Sequence, residues 1–211
     1  IYTPTHTLSL HDALPILKTS HKQGKITETP NIDTICDGIA VKKPGNITYN
    51  ITKDLLDDIV TVNDFQVTRT LFYLLERAKI VAEPAGCVGL TAYLYGAVDV
   101  ENKDAVAIIS GGNIDMSLMS QIIEKELFRL GQRVKIQGNI SDRPGSLNKV
   151  LGIVADSNIN VIKVTQDRHD PDTPPNKVEL ELVIEVHEKS YIKQLLQQLR
   201  KADLSFSIVE D

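Results

Sequence analysis

Val106-Ala107-Ile108-Ile109-Ser110-Gly111-Gly112-Asn113 is the stretch on which the reading of this sequence turns. Four apolar residues end in a small hydroxyl residue, two glycines and an asparagine, and a helical pattern follows from Asp115 to Leu130. The spacing predicts a buried strand that turns sharply into a helix. In α/β folds ligands bind at such carboxyl ends of strands, where glycines let a ligand approach the backbone and free helix amides favour negative charge. An ordinary strand-to-helix turn uses the same residue types, so the rest of the chain has to decide between the two.

The chain has 211 residues, 42% of them hydrophobic, which suits a soluble protein with one large or two small cores. Its apolar runs are far shorter than the ~18 residues that cross a bilayer. A net charge of -5, spread along the chain, argues against a nucleic-acid partner. Cys36 and Cys87 lie in neither a metal-ligand nor a redox spacing, so no metal site is expected and a reducing cytoplasm is the simplest setting. The first residues stand apart. Tyr2 to Leu14 has no basic start, continuous apolar core or small-residue cleavage site, so it does not read as a signal peptide. Thr7 to Ile16 looks like translated adapter read-through, so residues 1–16 are set aside as a non-native or adapter-like segment, and His6 and His11 receive no role.

Upstream of the opening stretch, Pro44-Gly45 marks a turn, Ile59 to Val62 reads as a strand, and Asn63 or Asp64 is placed to cap a helix. In that helix Val67, Leu71, Leu74, Leu75 and Ala78 fall on one face, which is expected to pack inward. Glu83-Pro84-Ala85-Gly86 puts an acid in a turn ahead of a helix of small residues from Cys87 to Ala97. Downstream, Gly131 stands where a helix C-cap glycine is expected. Residues 134–140 alternate as a half-buried strand, and Leu147, Val150, Leu151 and Val154 have helical spacing. Strands follow at 159–167 and 177–187, then a helix capped by Ser190 and a last strand at 205–209. The order is βαββαβ, a ferredoxin-like antiparallel sheet with helices on one face.

Four ordered segments carry a family resemblance: Thr34-Ile-Cys-Asp-Gly-Ile-Ala-Val-Lys42, Asp57-Asp-Ile-Val-Thr-Val62, Glu83-Pro-Ala-Gly86 and Ser110-Gly-Gly-Asn-Ile-Asp115. With them, residues 17–131 resemble the C-terminal part of the catalytic domain of threonine dehydratase (threonine ammonia-lyase), a pyridoxal-phosphate enzyme of the tryptophan-synthase-β-like, fold type II class. Residues 132–211 resemble an ACT regulatory domain, with Asp142-Arg-Pro-Gly-Ser-Leu147 as its first loop. The resemblance implies an α/β chain from a lyase that converts threonine, and serine, to a 2-oxo acid and ammonia, as in isoleucine biosynthesis. Serine racemase and serine dehydratase share much of the same motif set.

The resemblance also implies roles for particular residues. Ser110 would hydrogen-bond the pyridine nitrogen of pyridoxal 5'-phosphate. A hydroxyl is a neutral partner that does not enforce a protonated pyridinium, and the weaker electron sink suits β-elimination. Gly111, with Gly112, would leave room for the ring edge, while Gly38 and Glu83 would lie near the cofactor. A strand-end hydroxyl capping the next helix, a solvated turn carboxylate and a simple left-handed glycine are the plainer alternatives for Ser110, Glu83 and Gly38. Asp37 reads as a local Asx-turn residue. The family's Schiff-base lysine and phosphate-binding glycine run match nothing here, and Lys42 and Lys43 sit in a polar turn that does not fit. No catalytic residue is therefore assigned, and the chain alone is expected to be inactive.

For the ACT segment the resemblance implies an amino-acid site on Asp142, Arg143, Pro144, Gly145, Ser146 and Leu147. Backbone amides near Gly145 would receive a carboxylate, with isoleucine or valine as effector candidates and a homo-oligomer formed through the sheets. A non-catalytic amino-acid sensor or dimerisation module is the rival reading of the whole chain.

Overall fold

The computed structural model describes residues 7–11, 15–169, 171 and 173–209; His6 lies outside them. The chain divides into two compact units, one up to Ile123 and one from Glu124 onward. The division falls inside a helix rather than at Gly131.

The first unit begins with β1 (Thr7–His11), which pairs in parallel with β2 (Asp58–Val62) in the register Thr7↔Asp58 to His11↔Val62. Between them lie α1 (Pro15–Gln23), a 3-10 turn at Asp37–Ile39 and α2 (Asn46–Leu55). The two helices are joined by Tyr49, whose hydroxyl donates to Ser20 O at 3.3 Å and whose ring meets His21 edge-on at 5.4 Å. Asn63, rather than Asp64, caps α3 (Asp64–Tyr73): its side chain accepts from Gln66 N while Gln66 Oε1 accepts from Asn63 N, a complete capping box. Val67, Leu71 and Leu74 point inward as expected, but Ala78 is exposed. The helix widens into a π turn at Leu74–Ala78, and the longer repeat rotates Ala78 off the apolar face. A 3-10 turn at Ala85–Cys87 then leads into α4 (Val88–Leu94).

The expected buried strand over Val106–Ile109 is not formed. Residues 104–115 form neither helix nor strand, and Val106 and Ile108 are 93% and 80% exposed. A strand is completed by its neighbours' ladder bonds. Here the backbone bonds that join the segment to residues 83–86 lie only at its end, Ser110 N to Gly86 O and Gly111 O to Glu83 N, each 3.1 Å. The apolar run satisfies the pattern of a sheet interior, and no described strand lies beside it to bury it. The helical pattern after it is α5 (Met116–Leu130), closed by a left-handed Gly131 with φ +73°. Gln132 N donates to Leu127 O and Gly131 N to Phe128 O, each at 2.9 Å, the paired bonds of a Schellman ending.

The second unit has the expected βαββαβ order: β3 (Arg133–Ser141), α6 (Ser146–Asp156), β4 (Asn160–Asp167), β5 (Lys177–Glu185), α7 (Lys189–Lys201) and β6 (Phe206–Ile208). The sheet order is β4-β5-β3-β6, all antiparallel. Period-two alternation places Val134, Ile136 and Ile140 beside Val178, Leu180, Leu182 and Ile184 on one face. Val150 and Val154 of α6 and Ile192, Leu195 and Leu199 of α7 cover that face. Gly138 lets β6 approach, since a Cβ there would strike Ser205 O and the Phe206 ring. Glu188, not Ser190, occupies the N-cap of α7; Ser190 lies one residue inside the helix and its hydroxyl bonds Glu188 Oε2 at 3.2 Å.

No helix among the described residues is long and apolar enough to cross a membrane.

Candidate functional site

In the first unit, three loops are brought to one place. The Gly38 loop is held by the N-terminus of α3: Thr34 Oγ1 donates to Asp64 Oδ1 at 2.8 Å and Ile35 N to Asp64 Oδ2 at 3.3 Å. Asp37 Oδ1 accepts from Gly38 N at 2.7 Å, the local turn role expected of it. A Cβ on Gly38 would touch Ala85 Cβ at 3.3 Å and lie 3.8 Å from Glu83 Oε1. The second and third loops clamp each other through the two backbone bonds that join Glu83 to Gly111 and Ser110 to Gly86. Gly38, Glu83, Ser110 and Gly111 therefore meet in one cluster.

Gly86 belongs with them, although sequence reasoning left it out of the site. A Cβ on Gly86 would collide with the Ser110 carbonyl, and a Cβ on Gly111, whose φ is +68°, would collide with the Glu83 carboxylate. The signal was available: a glycine that ends a turn ahead of a helix, opposite a second glycine-rich turn, marks close backbone approach.

Ser110 is exposed, and its hydroxyl makes no hydrogen bond among the described residues. It does not cap α5. Asp115 does so, with Oδ1 accepting from Ser117 N at 2.6 Å and Leu118 N at 3.4 Å. These amide bonds hold the Asp115 carboxyl below its ordinary value. The expectation that the helix start offers free amides to an anion at the Ser110 turn is thus narrowed, because a carboxylate of the chain itself already takes those of Ser117 and Leu118. Glu83 is half-buried, and its carboxylate likewise accepts no hydrogen bond among the described residues. Beneath the cluster, Cys36 and Cys87 are fully buried and unpaired as a disulfide. Burial pushes their thiols up to about 12 and about 11.

In the second unit, Asp142 to Gly145 are exposed and run from β3 into α6. Gly145 is the N-cap with φ +89°, a conformation that side chains rarely adopt, and it offers no side-chain cap. Ser146 N is engaged, donating to Arg143 O at 3.2 Å, which removes one of the amides near Gly145 from ligand use. Asp142 is gripped by Arg168, a residue that the sequence reading did not single out. The Arg168 guanidinium holds the Asp142 carboxyl below the usual carboxylate range.

Two family models match the chain, one within each unit. Residues 11–111 match the pyridoxal-phosphate dependent enzyme family and residues 139–203 the ACT domain. The chain is 37% identical over 182 residues to an L-threonine ammonia-lyase of Thermotoga maritima, covering 86% of this chain and 45% of the relative. It is 43% identical over 105 residues to the L-threonine dehydratase catabolic TdcB of Escherichia coli K12, covering 49% of this chain and 32% of the relative. The chain thus spans less than half the length of these relatives. Among solved structures, the processed form of threonine deaminase isoform 2 from Solanum lycopersicum overlays 56% of this chain and 33% of its own, with a TM-score of 0.50 and 23% identity, a likeness of fold. With the motif cluster in the first unit and the βαββαβ sheet in the second, the chain carries part of a pyridoxal-phosphate dependent enzyme domain over residues 11–111 and an ACT domain over residues 139–203.

Proposed function

We propose that this chain is part of a lyase that deaminates L-threonine, and L-serine, to 2-oxobutanoate or pyruvate and ammonia, under amino-acid control through its ACT domain. The observation that carries the reading is the convergence of Gly38, Glu83, Ser110 and Gly111 from three loops onto one cluster. Relatives named as threonine ammonia-lyases support the substrate. When bound, pyridoxal 5'-phosphate supplies an electron sink that acidifies the α-hydrogen of an amino acid and lets its β-hydroxyl leave.

The cluster fits one wall of a site for that group. Ser110 presents an exposed hydroxyl with no partner among the described residues, suited to a ring nitrogen as a neutral hydrogen-bonding group. Gly111, with no side chain of its own, leaves that space to the Glu83 carboxylate, while Gly86 seats the Ser110 backbone and so directs the hydroxyl. Glu83 stands beside both, its carboxylate accepting no hydrogen bond among the described residues. Gly38 completes the cluster over Ala85. No residue here corresponds to the Schiff-base lysine or the phosphate loop, so the reading assigns positioning to this chain and no covalent step.

The test is made on the full gene product. It should form 2-oxobutanoate from threonine, and Ser110→Ala should lower kcat by about tenfold, the kinetic equivalent of one hydrogen bond. The 211-residue chain with added cofactor should form none at comparable rates. Turnover by the chain alone would overturn its assignment as a partial site.

The ACT domain supports a homo-oligomer, since β4 and β6 form the two edges of the sheet and expose Ile162, Val164 and Ile208. Isoleucine and valine are the effector candidates for the 142–147 loop. Two buried free cysteines fit a reducing compartment such as the cytoplasm. A sensor without catalysis is the second reading, favoured by the second unit's own contiguous core. Titration of isoleucine, valine, threonine and serine, beside the activity assay, separates the two.

A further inference from the structure

Arg168 grips Asp142 with two parallel bonds, Nε to Oδ2 and Nη2 to Oδ1, each 3.0 Å. The pair has an unusual place in the sheet. Asp142 directly follows β3 and Arg168 directly follows β4, yet these strands are not neighbours, because β5 runs between them. Ser141 pairs with Lys177 and Asp167 with Glu179, so both strands end over the start of β5. The ion pair bridges that intervening strand.

Its contribution to stability is small. The Asp142 and Arg168 side chains are 35% and 54% exposed, and exposed ion pairs add little to folding. What two parallel bonds supply is a fixed direction. The loop that needs direction is the one from Asp142 to Leu147. Its other ties are backbone bonds: Asp142 N to Asn176 O at 3.1 Å, Arg143 N to Ser141 O at 2.9 Å and Ser146 N to Arg143 O. Asp142 to Gly145 are exposed, so packing does not hold them, and α6 has no side-chain cap. Among the described residues, the grip of Arg168 is the loop's only side-chain hydrogen bonding.

We propose that Arg168 is a positioning residue for amino-acid binding by the ACT domain: by holding both oxygens of Asp142 it sets the shape in which the 142–147 loop enters α6 and meets a ligand. This rests on the reading of that loop as the effector site. Arg168 acts through Asp142 and need not touch the ligand. Lysine is not an equivalent, since an ammonium is a point charge without the planar fork that matches a carboxylate.

The test is isothermal titration of the 211-residue chain with isoleucine, valine, threonine and serine, repeated for Arg168→Ala, Arg168→Lys, Asp142→Ala and the Arg168→Ala/Asp142→Ala double variant. Arg168→Ala should raise the Kd of the amino acid that binds by about tenfold, with the thermal midpoint little changed. Arg168→Lys should restore only part of the affinity. The double variant should bind no more weakly than Asp142→Ala, because a residue that acts through another has nothing left to position. If Arg168→Ala stays within about twofold of the parent, or if the two losses add, the positioning role is overturned while the effector site stands. If the parent chain binds none of the four amino acids, the effector reading itself falls and takes the positioning role with it.

Discussion

Glu83 and Gly111 are interlocked: the Glu83 amide donates to the Gly111 carbonyl at 3.1 Å, and the Glu83 carboxylate fills the space into which a side chain on Gly111 would point. Gly111→Ala therefore meets two obstacles, a left-handed backbone and an occupied volume. The occupant is the far end of a flexible side chain and can swing away, so the backbone sets the cost, about 1–2 kcal/mol. Chemical denaturation should show that loss, and adding Glu83→Ala should recover little of it.

Gly86→Ala should be worse. The Cβ would run into the Ser110 carbonyl, which is backbone and cannot rotate aside, so the bond from Ser110 N to Gly86 O must stretch or break. A loss of about 3 kcal/mol is expected from overpacking at a site that cannot relax. Equilibrium unfolding of Gly86→Ala beside Gly111→Ala checks the order.

The capping box of α3 offers a cleaner measurement. Asn63→Ala removes the side-chain acceptor for Gln66 N and leaves only the reciprocal bond from the residue 63 amide to Gln66 Oε1. It should cost about 1 kcal/mol, read from the shift in urea midpoint at unchanged slope.

The buried thiols give stability a pH dependence of defined sign. Cys36 and Cys87 have folded pKa values near 12 and 11, raised from 9.0 by burial. An acid whose folded pKa is raised holds its proton more tightly when folded, so its contribution is complete below the unfolded value and lost as pH rises towards the folded one. Stability should be flat with respect to these groups below pH 9 and fall between 9 and about 12. A thiol reagent at pH 8 should label neither cysteine in the folded chain and both in denaturant.

Asp115 behaves in the opposite sense. Its carboxyl is held low by the Ser117 and Leu118 amides, so its cap on α5 is fully present above the ordinary value of 3.8 and lost as pH falls through the depressed folded value. Asp115→Asn, which keeps an oxygen acceptor without the charge, should lower the midpoint at neutral pH and flatten its acid dependence.

Much of the architecture was legible in the sequence because it depends on local regularities. Alternation from Val178 to Ile184 determined a strand with one buried face, and its repeat in β3 left one way to pair them. Helical spacing found α3, α6 and α7, and the left-handed glycine after α5 was where a helix ending requires one. Errors clustered where an element's fate depends on something outside it. Ser190 and Glu188 are both placed to begin α7, and only the chain path selects Glu188. Ala78 follows helical spacing until the π turn rotates it outward.

The opening stretch shows the same limit most plainly. The sequence by itself determined that Val106 to Ile109 has strand chemistry, that Ser110 to Asn113 is a turn and that a helix follows. Tertiary structure alone decided that residues 104–109 lie outside any sheet, because ladder bonds and burial are supplied by neighbours and not by the segment. Tertiary structure likewise decided that Gly38, Glu83, Ser110 and Gly111 form one cluster and that Arg168 reaches Asp142 across β5. Local pattern is written in neighbouring residues, whereas proximity between distant loops is set by how the whole chain closes on its core.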